Sequence, residues 1–113
     1  MKQTQLKEYI RDEVTKQPRG IVVAIRENDE VLYGYSLLNT KLDRFDKALG
    51  LQIATNRAKS EGYALPETKE REDLVTAALI RIEGRALKYF KDLDPSKVQL
   101  VAEEGGTSKF TVA

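Results

Sequence analysis

Neither cysteine nor histidine occurs in the 113 residues, and the two absences exclude much familiar site chemistry. Without thiols there is no disulfide and no thiolate nucleophile. Without imidazole there is no Ser-His-Asp or Cys-His arrangement and none of the usual zinc sites. Catalysis would rest on Asp, Glu, Lys or Tyr, and no spacing advertises a carboxylate pair. The chain therefore reads as a non-enzyme with no catalytic residue, no metal ligand and no cofactor.

Charge of one sign is also lacking. Lys and Arg number 19 against 18 Asp and Glu, a net +1, so the whole-molecule field would not hold nucleic acid strongly and any anion site must be local. No apolar run approaches a bilayer span, and no lysine-rich border flanks a wide apolar face, so membrane association is not expected. Met1-Lys2-Gln3-Thr4-Gln5 leads into a polar amphipathic stretch without a secretory pattern, which reads as intracellular. Hydrophobic residues make up 41% and charged residues 33%, enough for one compact domain over residues 1–113.

Leu6, Tyr9, Ile10 and Val14 recur at helical spacing, and Gln17-Pro18-Arg19-Gly20 stops the pattern, predicting a helix over about 3–16. Ile21–Ile25 and Val31–Leu38 are apolar runs around the polar tip Glu27-Asn28-Asp29-Glu30, a hairpin over about 20–38. Thr40 with Asp43 three residues on resembles a capping box. It opens a second helix over about 41–61 whose buried stripe would be Phe45, Leu49 and Ile53, joined by Ala54 and Ala58. Leu74, Val75, Ala78, Leu79, Ile82, Ala86, Tyr89, Phe90 and Leu93 predict a third helix over about 69–93, ended by Asp94-Pro95. Val98, Leu100, Phe110 and Val112 around Gly105-Gly106 predict a second hairpin over about 97–112. The expected fold is α+β: a small antiparallel sheet of two hairpins packed with three helices.

Two features could carry function. Arg57-Ala58 and Arg85-Ala86, one step on each long helix, set a guanidinium beside a small residue, and Arg81, Arg85 and Lys88 form a ridge that could meet phosphate. Solvated arginines paired with Glu83, Glu61 or Asp92 are the ordinary alternative. Gly50 and Gly84 inside helices cost about 1 kcal/mol each against alanine, which points to close contact by another chain or a ligand. The junction of Tyr33, Tyr35, Ser36, Asn39, Asp43 and Phe45 offers aromatic faces for a base and polar groups for directed hydrogen bonds. Core packing and helix capping are its ordinary alternative.

Arg19-Gly20-Ile21-Val22-Val23-Ala24-Ile25, Gly34-Tyr35-Ser36-Leu37-Leu38-Asn39, Asp43-Arg44-Phe45 through Asn56-Arg57-Ala58, and Arg85-Ala86 through Lys91 together resemble a group of small bacteriophage proteins. That group has a Gly-Trp-Ser-Leu-Cys-Asn type strand, a helix closing on Gly-Arg-Ala and a late Arg-Ala. Here Tyr35 stands for the tryptophan, Leu38 for the cysteine and Asn56 for the glycine. The pattern is similar to the Thoeris anti-defence sponge proteins, which sequester cyclic ADP-ribose-like or cyclic oligonucleotide immune signals.

The resemblance implies a homo-oligomer in the cytoplasm of an infected bacterial host that holds a cyclic nucleotide-type signal between protomers without cleaving it. The ligand-binding candidates, taken from their chemistry and motif position, are Arg57, Arg85, Lys88, Asn39, Asp43, Phe45, Ser36 and Tyr35. The alternatives are a protein-interaction module that inhibits a host complex through an exposed face of the third helix, and a small nucleic-acid-binding phage protein.

Overall fold

A computed structural model describes residues 4–38, 45–60, 66 and 68–99. The chain runs β1 (Gln5–Arg11), β2 (Pro18–Glu27), β3 (Glu30–Leu37), α1 (Lys47–Lys59), α2 (Lys69–Tyr89) and the single-turn α3 (Pro95–Val98). The three strands form one antiparallel sheet in the order β1-β2-β3, so the fold is α+β as the sequence predicts.

The apolar run in β2 has a simple cause: Ile21, Val22, Val23 and Ala24 are all fully buried because both faces of the central strand are covered. Alternate side chains point to opposite faces. Val22 and Ala24 join Leu6, Ile10, Val31, Tyr33 and Tyr35 under α2, which contributes Val75, Ala78, Leu79, Ile82 and Ala86. Ile21, Val23 and Ile25 join Leu32 on the other face, under Ala54 and Ala58 of α1. The β2–β3 turn is tight, with Glu27 opposite Glu30 and Asn28 at φ 58°, a left-handed conformation that asparagine tolerates.

The expected first helix is a strand. Gln5 to Arg11 pair in register with Ile25 to Pro18, and an Asp12 turn follows in which Oδ1 accepts from Val14 N (2.8 Å) and Thr15 N (3.0 Å). Leu6 and Ile10 misled the periodic reading because a separation of four satisfies period two as well as period 3.6. Tyr9 lies on the opposite face, beside Phe45, and Val14 is 87% exposed in the turn.

α1 begins later than expected. Its N-cap is Asp46, whose carboxylate accepts from Leu49 N at 3.0 Å, so Phe45 precedes the helix and is not on its stripe. Thr40 lies outside the described residues. Leu49 is exposed, and the buried stripe is Gly50, Ala54 and Ala58. Only small residues fit there because the helix lies nearly on the sheet. A β-carbon on Gly34 would fall inside contact distance of the Ala54 carbonyl oxygen and 2.6 Å from Ala58 N, and one on Gly50 would be 2.9 Å from the Phe45 ring. Gly50 thus serves helix-on-sheet packing within the chain. Gly84 faces open space, with no described atom within 4 Å of where its β-carbon would stand.

α2 starts at N-cap Thr68 and ends at Tyr89, short of the expected residue 93, with Phe90 as C-cap. Of the second expected hairpin, residues 97 and 98 belong to α3, and 100–112 lie outside the described residues. Tyr33 ties α3 to the sheet, its hydroxyl donating to Val98 O at 2.5 Å. Burial, with the Glu83 carboxylate adding to it, raises the Tyr33 phenol far above its ordinary value of 10.0.

Gly34→Ala should lower stability by about 1–3 kcal/mol through overpacking, whereas Gly84→Ala should raise it by up to about 1 kcal/mol; urea unfolding of both variants checks the pair. A group whose folded pKa is raised contributes stability below its unfolded pKa and loses it as pH climbs toward the folded value. Unfolding monitored by circular dichroism should therefore begin above about pH 10. Tyr33→Phe should weaken that alkaline loss, while costing about 1 kcal/mol at neutral pH for the missing hydrogen bond.

Candidate functional site

Among the described residues β1 and β3 are the edges of the sheet, and pairing shows which backbone groups line them. Arg26 N donates to Thr4 O and Leu38 N to Arg19 O. By the alternation of an antiparallel ladder, Gln5, Lys7, Tyr9 and Arg11 turn their N–H and C=O groups outward on β1, and Val31, Tyr33, Tyr35 and Leu37 do so on β3.

Both Arg-Ala steps close these edges. Arg85 Nη1 donates to Lys7 O at 2.9 Å on the β1 edge, and Arg57 Nη1 donates to Tyr35 O at 3.1 Å on the β3 edge. The neighbouring alanines, Ala86 and Ala58, are fully buried against opposite faces of the sheet. Each step therefore lets its helix settle close to the sheet while the preceding arginine reaches over the rim. Arg57 and Arg85 do not share a cavity within one chain.

The Arg81–Arg85–Lys88 ridge is partly absorbed by β1. Arg81 Nε lies 2.9 Å from Glu8 Oε1, and Arg85 Nη1 lies 3.4 Å from Glu8 Oε2. Asp92, one of the partners expected from sequence, instead pairs with Arg26 at 2.8 Å. Lys88 is exposed in the last turn of α2.

Tyr35 and Ser36 are both buried and point to opposite faces, Tyr35 toward α2 and Ser36 toward Gly50 of α1. Phe45 stands edge-on to Tyr9, with centroids 6.2 Å apart, on the α1 face. Asn39 and Asp43 lie outside the described residues.

One functional candidate escaped the sequence reading. Arg71, in the first turn of α2, donates from Nη1 to Leu38 O at 2.6 Å. Arg57 lies 5.0 Å from the Tyr35 ring centroid. Burial raises the Tyr35 phenol above its ordinary value, and the Arg57 and Arg71 guanidiniums partly offset that rise. A cation in the first turn of a helix opposes the macrodipole, and that local misfit is the signal that could have identified Arg71. Two helices on opposite sides of the sheet thus meet, through their arginines, at the end of β3.

Arg19 is buried and serves the framework. Arg19 Nη1 sits 3.9 Å from Asp12 Oδ2 and 3.6 Å from Glu70 Oε1, and its Nε has no hydrogen-bond partner among the described residues. A cavity of about 180 Å³ adjoins it, lined also by Glu13, Val14 and Leu74. A more open groove of about 760 Å³ follows β1 beside α2, past Lys7, Arg11, Leu74, Ala77 and Arg81. Among the described residues no cluster of three His, Cys, Asp or Glu could hold a metal. No described helix is long and apolar enough to cross a membrane.

Glu8→Gln should cost less than about 1 kcal/mol, because its arginine partners are half exposed and exposed pairs are weak. The deficit should shrink further in high salt, which paired urea titrations at two salt concentrations would read. Comparison of the chain with models of protein families, with curated proteins and with solved structures finds no match in any of the three.

Proposed function

We propose that the chain is a non-enzymatic binding protein that sequesters a small phosphorylated nucleotide at the β3 edge, between Arg57 and Arg71. The observation that carries this reading is that Arg57 caps Tyr35 O and lies over its ring while Arg71 caps Leu38 O three residues further along the same strand end. A guanidinium has five N–H donors in a fixed fork, so Arg57, which caps Tyr35 O through Nη1, keeps the geometry to meet phosphate oxygens. Tyr35 is buried, so its role is to seat Arg57 and not to stack on a base.

The likeness to phage sponge proteins supports a cyclic ADP-ribose-like or cyclic oligonucleotide signal as the ligand, bound in an infected bacterial cell as an anti-defence measure. In a homo-oligomer, Arg85 and Lys88 of another copy would be available to complete the pocket. A second reading, a protein-interaction module, would use the exposed side of α2 at Ile80, which is 52% exposed; Tyr89, nine residues on, falls on the opposite side of the helix.

Isothermal titration with cyclic ADP-ribose and with cyclic di-AMP tests the proposal. At least one should bind and return chemically intact after heat denaturation. Arg57→Ala and Arg71→Ala should each weaken that binding about ten- to a hundredfold, as expected for loss of a charge-assisted hydrogen bond. No heat with either probe, or equal affinity in both variants, would sink the reading. A chemically altered ligand would make the protein an enzyme. The second reading instead requires a host-protein complex that Ile80→Glu abolishes.

A further inference from the structure

The strand conformation of residues 5–11 sorts their charges by sign. In a helix Lys7 and Arg11 would form one row beside the row of Glu8 and Asp12, on adjoining parts of one surface, whereas a strand sends the two pairs to opposite faces of the sheet. Glu8 of β1 and Asp12 just beyond its end point to the α2 face, where Glu8 meets Arg81 and Arg85 and Asp12 meets Arg19. Lys7, Tyr9 and Arg11 point to the other face, where α1 packs mainly on β3 and β2. Lys7 and Arg11 are exposed there and Tyr9 is half-buried.

α1 adds a third cation to this face. Lys47 Nζ lies 5.6 Å from the Tyr9 ring centroid, and the Arg11 guanidinium lies 5.4 Å from the same centroid. A hydrogen bond to Tyr9 raises the Lys47 pKa, so the ammonium stays charged. The carboxylate next in sequence, Asp46, is engaged by Leu49 N as the α1 cap. The Phe45 ring stands perpendicular to the Tyr9 ring, centroids 6.2 Å apart, and packs beside it.

We propose that the β1 face formed by Lys7, Tyr9 and Arg11, with Lys47 of α1, is a binding platform for single-stranded nucleic acid. Two-residue steps along a strand advance about 6.6 Å, so Lys7 and Arg11 bracket Tyr9 across about 13 Å. Cations at that spacing can follow successive phosphates, while the ring between them offers a stacking surface to any base. An entering base takes the place of a cation at the ring, and that cation then meets the phosphate. An acidic peptide would use the charges but gain nothing from the ring. The site is separate from Arg57 and Arg71 and independent of the nucleotide proposal.

Fluorescence anisotropy with a labelled oligothymidylate of about 12 nucleotides, a length within the usual site sizes, tests the platform. Binding should weaken steeply as salt rises. Lys7→Gln/Arg11→Gln, both at exposed positions, should weaken it at least tenfold and flatten the logarithmic salt slope by about 1.4, from about 0.7 for each lost phosphate contact. Tyr9→Leu should weaken it about 5- to 150-fold and leave the slope unchanged. Absence of binding at low salt, unchanged affinity in the double variant, or equal competition by duplex DNA or oligoglutamate would overturn the proposal.

Discussion

A strand buried on both faces has to be covered twice. β2 carries four consecutive fully buried residues, Ile21 to Ala24, and these oblige the fold to supply α2 on one side and α1 on the other. The two covers are built differently. α2 brings valine, leucine and isoleucine and packs at ordinary side-chain distance, while α1 brings glycine and alanine and rests nearly on the β3 backbone at Gly34. Close packing without large side chains gains dispersion contacts over a broad surface, but it tolerates no added atom.

Covering the faces leaves the edges, where unpaired backbone groups invite association with other strands. Arginine deals with both. Arg85 covers an outward carbonyl of β1 and Arg57 one of β3, with Arg71 on Leu38 O just beyond. A register shift at Ile10/Arg11 and the charges of Lys7 and Arg11 further discourage strand addition at β1. The repeated Arg-Ala step therefore has a structural use at both edges. At the β3 edge that use also gathers two guanidiniums in one place, which is why the candidate site falls there.

Legibility from sequence was uneven for identifiable reasons. α2 was readable because a 21-residue helix repeats its apolar stripe over six turns, enough to separate period 3.6 from period two. The β2–β3 hairpin was readable from β-branched runs around an Asn-Asp tip. β1 was not, since seven residues containing Leu6 and Ile10 fit both periods and only pairing with β2 decides between them. The α1 stripe was half legible: Ala54 and Ala58 are buried as expected, but Leu49 is exposed and Gly50 takes its place, because the distance between helix and sheet selected the smallest residues over the largest. At the candidate site, Arg57 stands out in the sequence by its Arg-Ala step, whereas Arg71 belongs to no motif beyond its place in the first turn of α2 and is brought there by its hydrogen bond to Leu38 O.

The amino-acid sequence alone determined what chemistry is impossible without cysteine or histidine, where the hairpin and the long helix lie, and that an α+β domain results, because composition and local periodicity are properties of neighbouring residues. Tertiary structure decided the identity of residues 5–11, the segregation of their charges onto two faces, and which arginines meet. Those outcomes depend on groups such as Arg57 and Tyr35, or Arg85 and Lys7, that are 22 and 78 positions apart and are brought together only when the sheet and its two covering helices assemble.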